Sequence, residues 1–529
     1  MSASRVWSVR TVWLILMACL GVSVVVAAMA ALNTALPDIA QDVGASNAQM
    51  TWILDGYTLV LAALLLPAGA IGDRFGRRGA LMTGLLIFGA ANLGAVFVST
   101  SMELITTRLV AGVGAALIMP ATLSLITAGV PRDQRAIGIS IWAAVAGVGA
   151  IGGFFVTGLL MAFFSWHSVF ITFAAASAVM LLLALTIGSS KDSNPGKIDV
   201  PGSLASVAAI TGIVFGLLEA PSRGWVDPVV MGTLIGGVLL GALFVWIELR
   251  SPSPLLDVRL FANRAFGSGA LSVGLQFFAT FGVFYLLLLL LQLVYGFSPL
   301  KSAVSLTPLV VGVGVFALLG NWVAVRFHSL RFVLGGGMLI LGAGVLALGF
   351  FDVQTYWKVA VMLGVCAVGI GLTTAPATTA IMANTPQDNQ GIGSAVNDTA
   401  RELGAALGIA LAGSLMAAGY GHRIGPVAES ARTQLAAVDP AAADRAATEI
   451  GRSMAGAVAV ADKLPPQAGA LARFITEGAQ AAFVPPMQHA CIGLGVVLLV
   501  GAVFLTWLAP RQVLTPENPA VVDDAEPAA

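Results

Sequence analysis

The stretch TWILDGYTLVLAALLLPAG, residues 51–69, carries an aspartate, Asp55, about four residues into an apolar run long enough to cross a bilayer. A carboxylate held toward hydrocarbon costs a few kcal/mol or more, so an acid in such a run reads as one kept for use. The rest of the chain is of the same kind. Of 529 residues, 58% are hydrophobic and 10% charged, against roughly 25% charged in soluble domains. At about 20 residues per crossing helix, the chain has room for a dozen or more spans. The expected fold class is an all-α integral membrane protein.

Apolar runs between polar breaks predict helices over 12–36, 50–71, 80–97, 103–130, 138–164, 168–189, 201–219, 228–248, 266–292, 303–325, 332–351, 359–382, 396–420 and 487–508. Fourteen spans put both termini on one side. With the N-terminus inside, the inside segments hold Arg5, Arg10, Arg74, Arg77, Arg78, Arg132, Arg135, Lys191, Lys197, Arg250, Arg259, Arg264, Arg326, Arg331 and Arg511. The short outside loops hold only Arg223, Lys301 and Lys358. This bias alternates loop by loop, as the positive-inside rule requires, and places both termini in the cytoplasm.

Ala28-Met29-Ala30 resembles a signal-peptidase site. The apolar run from Val12 to Leu36 is longer than an h-region of about 7–15 residues, so an uncleaved anchor is the simpler reading. Residues 421–486 break the pattern of short connections, with two helix-like stretches separated by Leu464-Pro465-Pro466. They read as an extracytoplasmic helical hairpin, with a disordered tether as the alternative. The tail, 511–529, is polar and acidic and reads as disordered.

Several functions are disfavoured. Net charge is zero with no basic stripe, so no nucleic-acid partner is expected. Cys19, Cys366 and Cys491 lie far apart in apolar runs and form neither a disulfide framework nor metal spacing. His167, His328, His422 and His489 are scattered without a catalytic arrangement, and no G-x-x-x-x-G-K-[ST] loop is present. No enzyme activity, cofactor or metal is expected. A non-transporting receptor or sensor would predict a soluble signalling domain, and the chain has none.

The connection after the second span reads GAIGDRFGRRGAL. Gly69, Gly72 and Gly76 permit a tight turn, Asp73 can accept from a neighbouring helix N-terminus, and Arg74, Arg77 and Arg78 hold the loop inside. The order G-x-x-x-D-R-x-G-R-R resembles the signature loop of the major facilitator superfamily. Further matches follow in order: LITTRLVAGVGAALIMPATLSLI with Arg108, Gly112, Gly114 and Pro120; LQLVYGFSPLKSA with Gln292, Gly296, Ser298 and Pro299; and SAVNDTARELGAALG. Together they are similar to the fourteen-helix drug:proton antiporter branch, the EmrB/QacA-like multidrug exporters, over nearly the whole chain. The motif around Asp55 and the long loop before the last span resemble the quaternary-ammonium exporter subgroup.

The resemblance implies twelve core helices in two pseudo-symmetric halves, 1–200 and 249–510, with two inserted helices at 201–248. It implies a proton-coupled exporter of lipophilic, cationic drugs from the bacterial cytoplasmic membrane, working by alternating access. The substrate and protons are then its partners within the lipid, and a monomer is expected. The signature loop would be the gate. Asp55 would be the first candidate proton carrier, with Arg108 tuning it and the acids Asp398 and Glu402, four apart on one helical face, implicated in binding or coupling. Structural readings stand beside each of these. Asp55 at a wetted depth is merely structural, Arg108 is an architectural hydrogen-bonder, and Asp398 and Glu402 snorkel into water at a helix end. Arg401 can bridge to Asp398, and it stands where relatives have an aromatic. The cavity would be lined by Trp52, Tyr57, Gln276, Phe277, Phe281 and Phe284, which lipid or core packing would explain equally.

Two departures weaken the proton assignment. Ala28 stands where the family's first span carries an acid, five residues before Asn33. Phe154 stands where a proline kinks the fifth span, although Gly149, Gly153, Thr157 and Gly158 keep a small-residue face for helix contact. The runner-up function is therefore export of an envelope lipid or another endogenous amphiphile.

Overall fold

The computed structural model describes residues 7–188, 190–191, 199–327, 329–436 and 439–511, and every regular element among them is helical. The tail beyond 511, read above as disordered, lies outside the described residues. The first six helices are α1 (Val9–Asp42), α2 (Asn47–Phe75), α3 (Arg77–Ala95), α4 (Ser101–Gly129), α5 (Arg132–Phe163) and α6 (His167–Ala184). Next come α7 (Val200–Arg223), α8 (Pro228–Arg250), α9 (Arg264–Leu289), α10 (Pro299–Ser305), α11 (Thr307–Arg326) and α12 (Leu330–Phe350). The last are α13 (Tyr356–Ala383), α14 (Gln390–Ala436), α15 (Pro440–Arg452), α16 (Met454–Asp462) and α17 (Gly469–Leu508).

Local chemistry fixes the ends. Ser46 with Gln49 and Thr100 with Glu103 form capping boxes that satisfy the first amides of α2 and α4. Asp199, Asp227 and Asn263 cap α7, α8 and α9. Between α2 and α3 the chain reverses at a single residue, Gly76, with φ of 109°, a conformation that costs glycine least.

Helices α1 to α6 pack on one another, as do α9, α11 to α14 and α17. The two groups meet where α14 lies against α2 and α4, and where α5 lies against α11 and α13. The paired helices α7 and α8 attach at the first of these seams, with α7 against both α2 and α14.

The span count differs from the fourteen expected: among the described residues, twelve helices are long and apolar enough throughout to cross a membrane. One missing helix is α3, which opens on Arg77 and Arg78 and carries Asn92. The other is α5, which bends by 42° between Arg132–Gly147 and Gly152–Phe163; taken as one bent span it raises the number to thirteen. That bend also corrects the expectation that α5 loses its kink with the proline. Glycines at 149, 152 and 153 lie at the bend, and glycine, like proline, is a common site of helix distortion.

The segment 421–486 is helical on both sides of Leu464-Pro465-Pro466 and continuous with the flanking spans. Helix α14 runs on through it to Ala436, α17 begins at Gly469, and α15 and α16 fold between these extensions. The segment is packed, with Ile450, Ala457, Ile475 and Ala479 fully buried in a core continuous with that of α9, α12, α13 and α17, and Tyr420 Oη donates to Ile450 O at 3.3 Å. A disordered tether does not describe the packed residues. The three cysteines are buried and free.

Candidate functional site

Helix α14 carries the densest group of buried charges. Asp398, Arg401 and Glu402 are 0%, 3% and 5% exposed, so none of them reaches water as residues at a helix end would. Arg401 Nη1 stands 3.6 Å from Asp398 Oδ1, which also accepts from Asn397 Nδ2 at 3.2 Å. The Arg401 guanidinium lies over Phe277 of α9, 4.4 Å from the ring centroid, and over Trp142 of α5 at 5.1 Å. Trp142 in turn donates Nε1 to Thr122 Oγ1 at 3.0 Å, which fixes its ring. Asp398 Oδ2, Thr399 Oγ1, Arg401 Nη1 and Glu402 Oε2 are buried without a hydrogen-bond partner. Such atoms are rare in folded proteins, and here they lie within five consecutive residues of one helix.

Arg108 of α4 occupies the other half and is differently served. Its Nε donates to Ile53 O at 3.1 Å, its Nη2 to Ala28 O at 3.3 Å, and its guanidinium sits 4.3 Å from the Tyr57 centroid. Tyr57 Oη reaches Val25 O at 3.1 Å. Among the described residues no carboxylate lies within ion-pair distance of Arg108. It donates to the backbone of Ala28, the very position where the first-span acid is missing.

Asp55 is half-buried, and its charged neighbour is Glu219 on α7. Glu219 pairs with Arg223 at 2.5 Å. Trp52 packs on Phe215 of α7, with ring centroids 6.0 Å apart. The structure thus places Asp55 and Trp52 toward the inserted helices, and Tyr57 with Arg108 in the interior.

At the basic end, Asp73 closes α2 onto α14. Its Oδ1 accepts from Arg77 Nη2 at 2.8 Å, Arg77 Nε at 3.0 Å and Gly391 N at 2.8 Å, while Oδ2 accepts from Ile392 N at 3.0 Å. A carboxylate on the opening amides of a helix is favoured by both hydrogen bonding and the helix dipole. Arg77 also donates to Gln387 O and Asp388 O, each at 3.2 Å, and Arg78 donates to Ile187 O at 2.9 Å. The approach needs glycine on both helices, since a Cβ at Gly391 would lie 2.5 Å from Gly69 O, and one at Gly69 would lie 2.5 Å from Gly391 O. Arg74 lies beside the Phe75 ring.

The aromatic stripe of α9 is divided. Phe277 stacks on Phe281 at 5.8 Å, while Phe284 meets Phe154 of α5 at 5.7 Å. Gln276 is buried and donates Nε2 to Thr374 Oγ1 at 2.6 Å, so α13 already satisfies it in part. Gly149 and Gly153 face Val26 and Ala27 of α1, Thr157 is buried, and Gly158 lies near Leu300 of α10. A cavity of about 480 Å³ opens beside this face, lined by apolar residues of α1, α5 and α6 such as Val24, Val145 and Phe173. It contains no charged residue and lies apart from the α14 cluster.

Sequence reasoning singled out the acids of α14 and the glycine-rich turn. It missed Trp142, which supplies the second ring on Arg401, and it gave Phe154 only as a lost proline. Neither carries a local signal: each acts through a helix more than a hundred residues away.

The sequence profile of the Major Facilitator Superfamily matches residues 18–409. The methyl viologen resistance protein SmvA of Salmonella typhimurium is 33% identical over 481 residues, covering 89% of this chain and 93% of that protein. The multidrug efflux pump LfrA of Mycolicibacterium smegmatis is 32% identical over 453 residues, covering 85% and 86%. The tetracenomycin C resistance and export protein of Streptomyces glaucescens is 30% identical over 483 residues, covering 88% and 86%. Among solved structures, a bacterial homologue of the human lysosomal transporter Spinster, inward-facing and unoccupied, superposes with a TM-score of 0.58 at 16% identity, covering 95% of this chain and 98% of that one. That likeness shows the fold alone.

Proposed function

Because the chain belongs to the major facilitator superfamily, a family of membrane transporters rather than enzymes, we propose that it exports lipophilic, cationic compounds in exchange for protons. The names of its relatives, resistance proteins and efflux pumps, support export of toxic compounds. The observation that carries the cationic reading is the α14 cluster: two buried carboxylates to one arginine, with aromatic rings beside them. With both acids ionised the group holds one surplus negative charge, which a proton or an organic cation can neutralise in turn. Low-dielectric surroundings make such a charge costly to leave alone.

The proposed topology is fourteen spans, counting α3 and the bent α5, in a bacterial cytoplasmic membrane. Residues 1–200 and 249–510 form the two moving halves, with 201–248 attached at one seam. Both termini and the Asp73 latch face the cytoplasm, and α15 and α16 lie outside. At about 1.5 Å per helical residue, Asp55 sits about 12 Å in from the outer end of α2, and Asp398 about 12 Å in from the inner end of α14. Two carboxylate stations on opposite sides of the midplane suit a proton that enters from outside and leaves within. Arg108, about 10 Å in from the outer end of α4 by the same count and bonded to Ile53 O, lies at about the depth of Asp55. Rocking of the halves around a midplane site is the general behaviour of such transporters.

The test is transport of tetraphenylphosphonium in proteoliposomes under an imposed pH gradient, comparing wild type with Asp55→Asn. The expected result is gradient-driven transport that falls about a hundredfold or more in the variant, the scale of a general acid–base contribution. Unchanged transport in the variant would remove Asp55 from coupling. Absence of cation transport by folded wild type would favour the lipid or amphiphile reading.

A further inference from the structure

Arg401 is an anomaly within the cluster it neutralises. A buried arginine normally directs its donors at acceptors: Arg77 does so with all three nitrogens, and Arg108 places two hydrogen bonds on backbone carbonyls beside the Tyr57 ring. Arg401 instead has its flat face against two aromatic rings, a carboxylate at the long distance of 3.6 Å, and Nη1 without a hydrogen bond. The two rings come from different halves: Trp142 from α5, Phe277 from α9. Two aromatic rings and the Asp398 carboxylate around one position, with Glu402 one turn on from Asp398 along the same helix, make a receptor for a delocalised organic cation, and the guanidinium is itself such a cation.

We propose that Arg401 is a tethered occupant of the substrate's cation subsite, which a flat or delocalised organic monocation displaces during transport. The inference rests on the cationic-substrate reading above and deepens it. Parting of the halves takes Trp142 away from Phe277 and opens the cage, so the incoming cation takes the ring faces and the carboxylates that Arg401 leaves. When the halves close again, Arg401 returns and competes the cation out toward the far side. The arrangement explains the imperfect hydrogen bonding. An occupant that must leave in every cycle is held by rings and a loose ion pair rather than by directed bonds, and Asp398 Oδ2 and Glu402 Oε2 are left unpartnered for the visitor. It also limits the substrate, because a compact, strongly hydrated cation gains little from ring faces.

The experiment is equilibrium binding of tetraphenylphosphonium to purified, monodisperse protein: wild type, Arg401→Ala, Arg401→Gln and Arg401→Lys. Removal of a competing tether raises the fraction of sites open to ligand, so the alanine and glutamine variants should bind about tenfold more tightly or better. Free guanidinium should then compete in both neutral variants and not in wild type, a readout that a merely structural arginine would not move. Arg401→Lys, which keeps charge without a flat face, should fall between them, and serves alone if the neutral variants do not fold. Normal binding by wild type, with unchanged or weaker binding in the variants and no guanidinium competition, overturns the tethered-occupant inference and leaves the export reading standing. No binding by folded wild type or any variant overturns both.

Discussion

Helix α14 meets two acid–arginine pairs, and they are built on opposite terms. At its start, Asp73 accepts two hydrogen bonds from Arg77 and two from helix amides, and Arg77 donates to two further carbonyls. Seven residues further on from Gly391, Asp398 and Arg401 stand 3.6 Å apart, and the cluster keeps four buried atoms without partners. Both pairs are buried, so water does not make up the difference. Removing one partner of a saturated pair strands the other, whereas an unsaturated cluster has already paid that penalty and keeps its free valences for something else. The first pair is built as a latch would be, and the second is the receptor proposed above.

The comparison is most exposed at Asp73. Asp73→Ala strands Arg77 and uncovers the first amides of α14, so it should cost about 3–5 kcal/mol, the range for breaking a buried pair. Thermal unfolding in detergent measures it; a shift no larger than that of a surface substitution would mean that the latch is not holding the halves. Gly391→Ala comes next. Its Cβ would meet Gly69 O at 2.5 Å and the Asp73 carboxyl carbon at 2.8 Å, so α2 and α14 must separate at a cost of about 1–3 kcal/mol. A protein that folds but exposes a cysteine introduced at the α2–α14 contact to a thiol-reactive probe is the expected outcome, the three native cysteines being buried. The aromatic contact of Phe154 with Phe284 is smaller again. A double-mutant cycle with leucine at both positions should return about 0.5–1.5 kcal/mol, and a zero coupling would remove this contact as a tie between the halves.

Much of the latch was legible from residues alone. Asp73, Gly69 and Gly76 belong to one short motif whose spacing shows the turn, although Gly69 and Asp73 fall on the last turns of α2 and only Gly76 is outside a helix. The receptor was only half legible. Asp398 and Glu402 share a helical face at a spacing of four, but the ring that completes it, Trp142, is 259 positions from Arg401, and no periodicity joins them. Ala28 illustrates the other limit. Its sequence shows a lost acid, yet only the fold shows that Arg108 takes the backbone carbonyl there and needs no acid. The same holds for α5, where glycines bend the helix after the proline is gone, and for 421–486, where the two flanking spans extend outward rather than stop.

Glu402→Gln separates latch from receptor most directly, with melting temperature and gradient-driven tetraphenylphosphonium transport measured on the same preparation. Glutamine keeps the shape and removes a buried charge that had an unpartnered oxygen. The account predicts a melting temperature equal to or above wild type, with transport reduced about tenfold or more. A melting temperature lowered as far as in Asp73→Ala, or transport at the wild-type rate, would contradict the claim that the α14 cluster is held open for cargo.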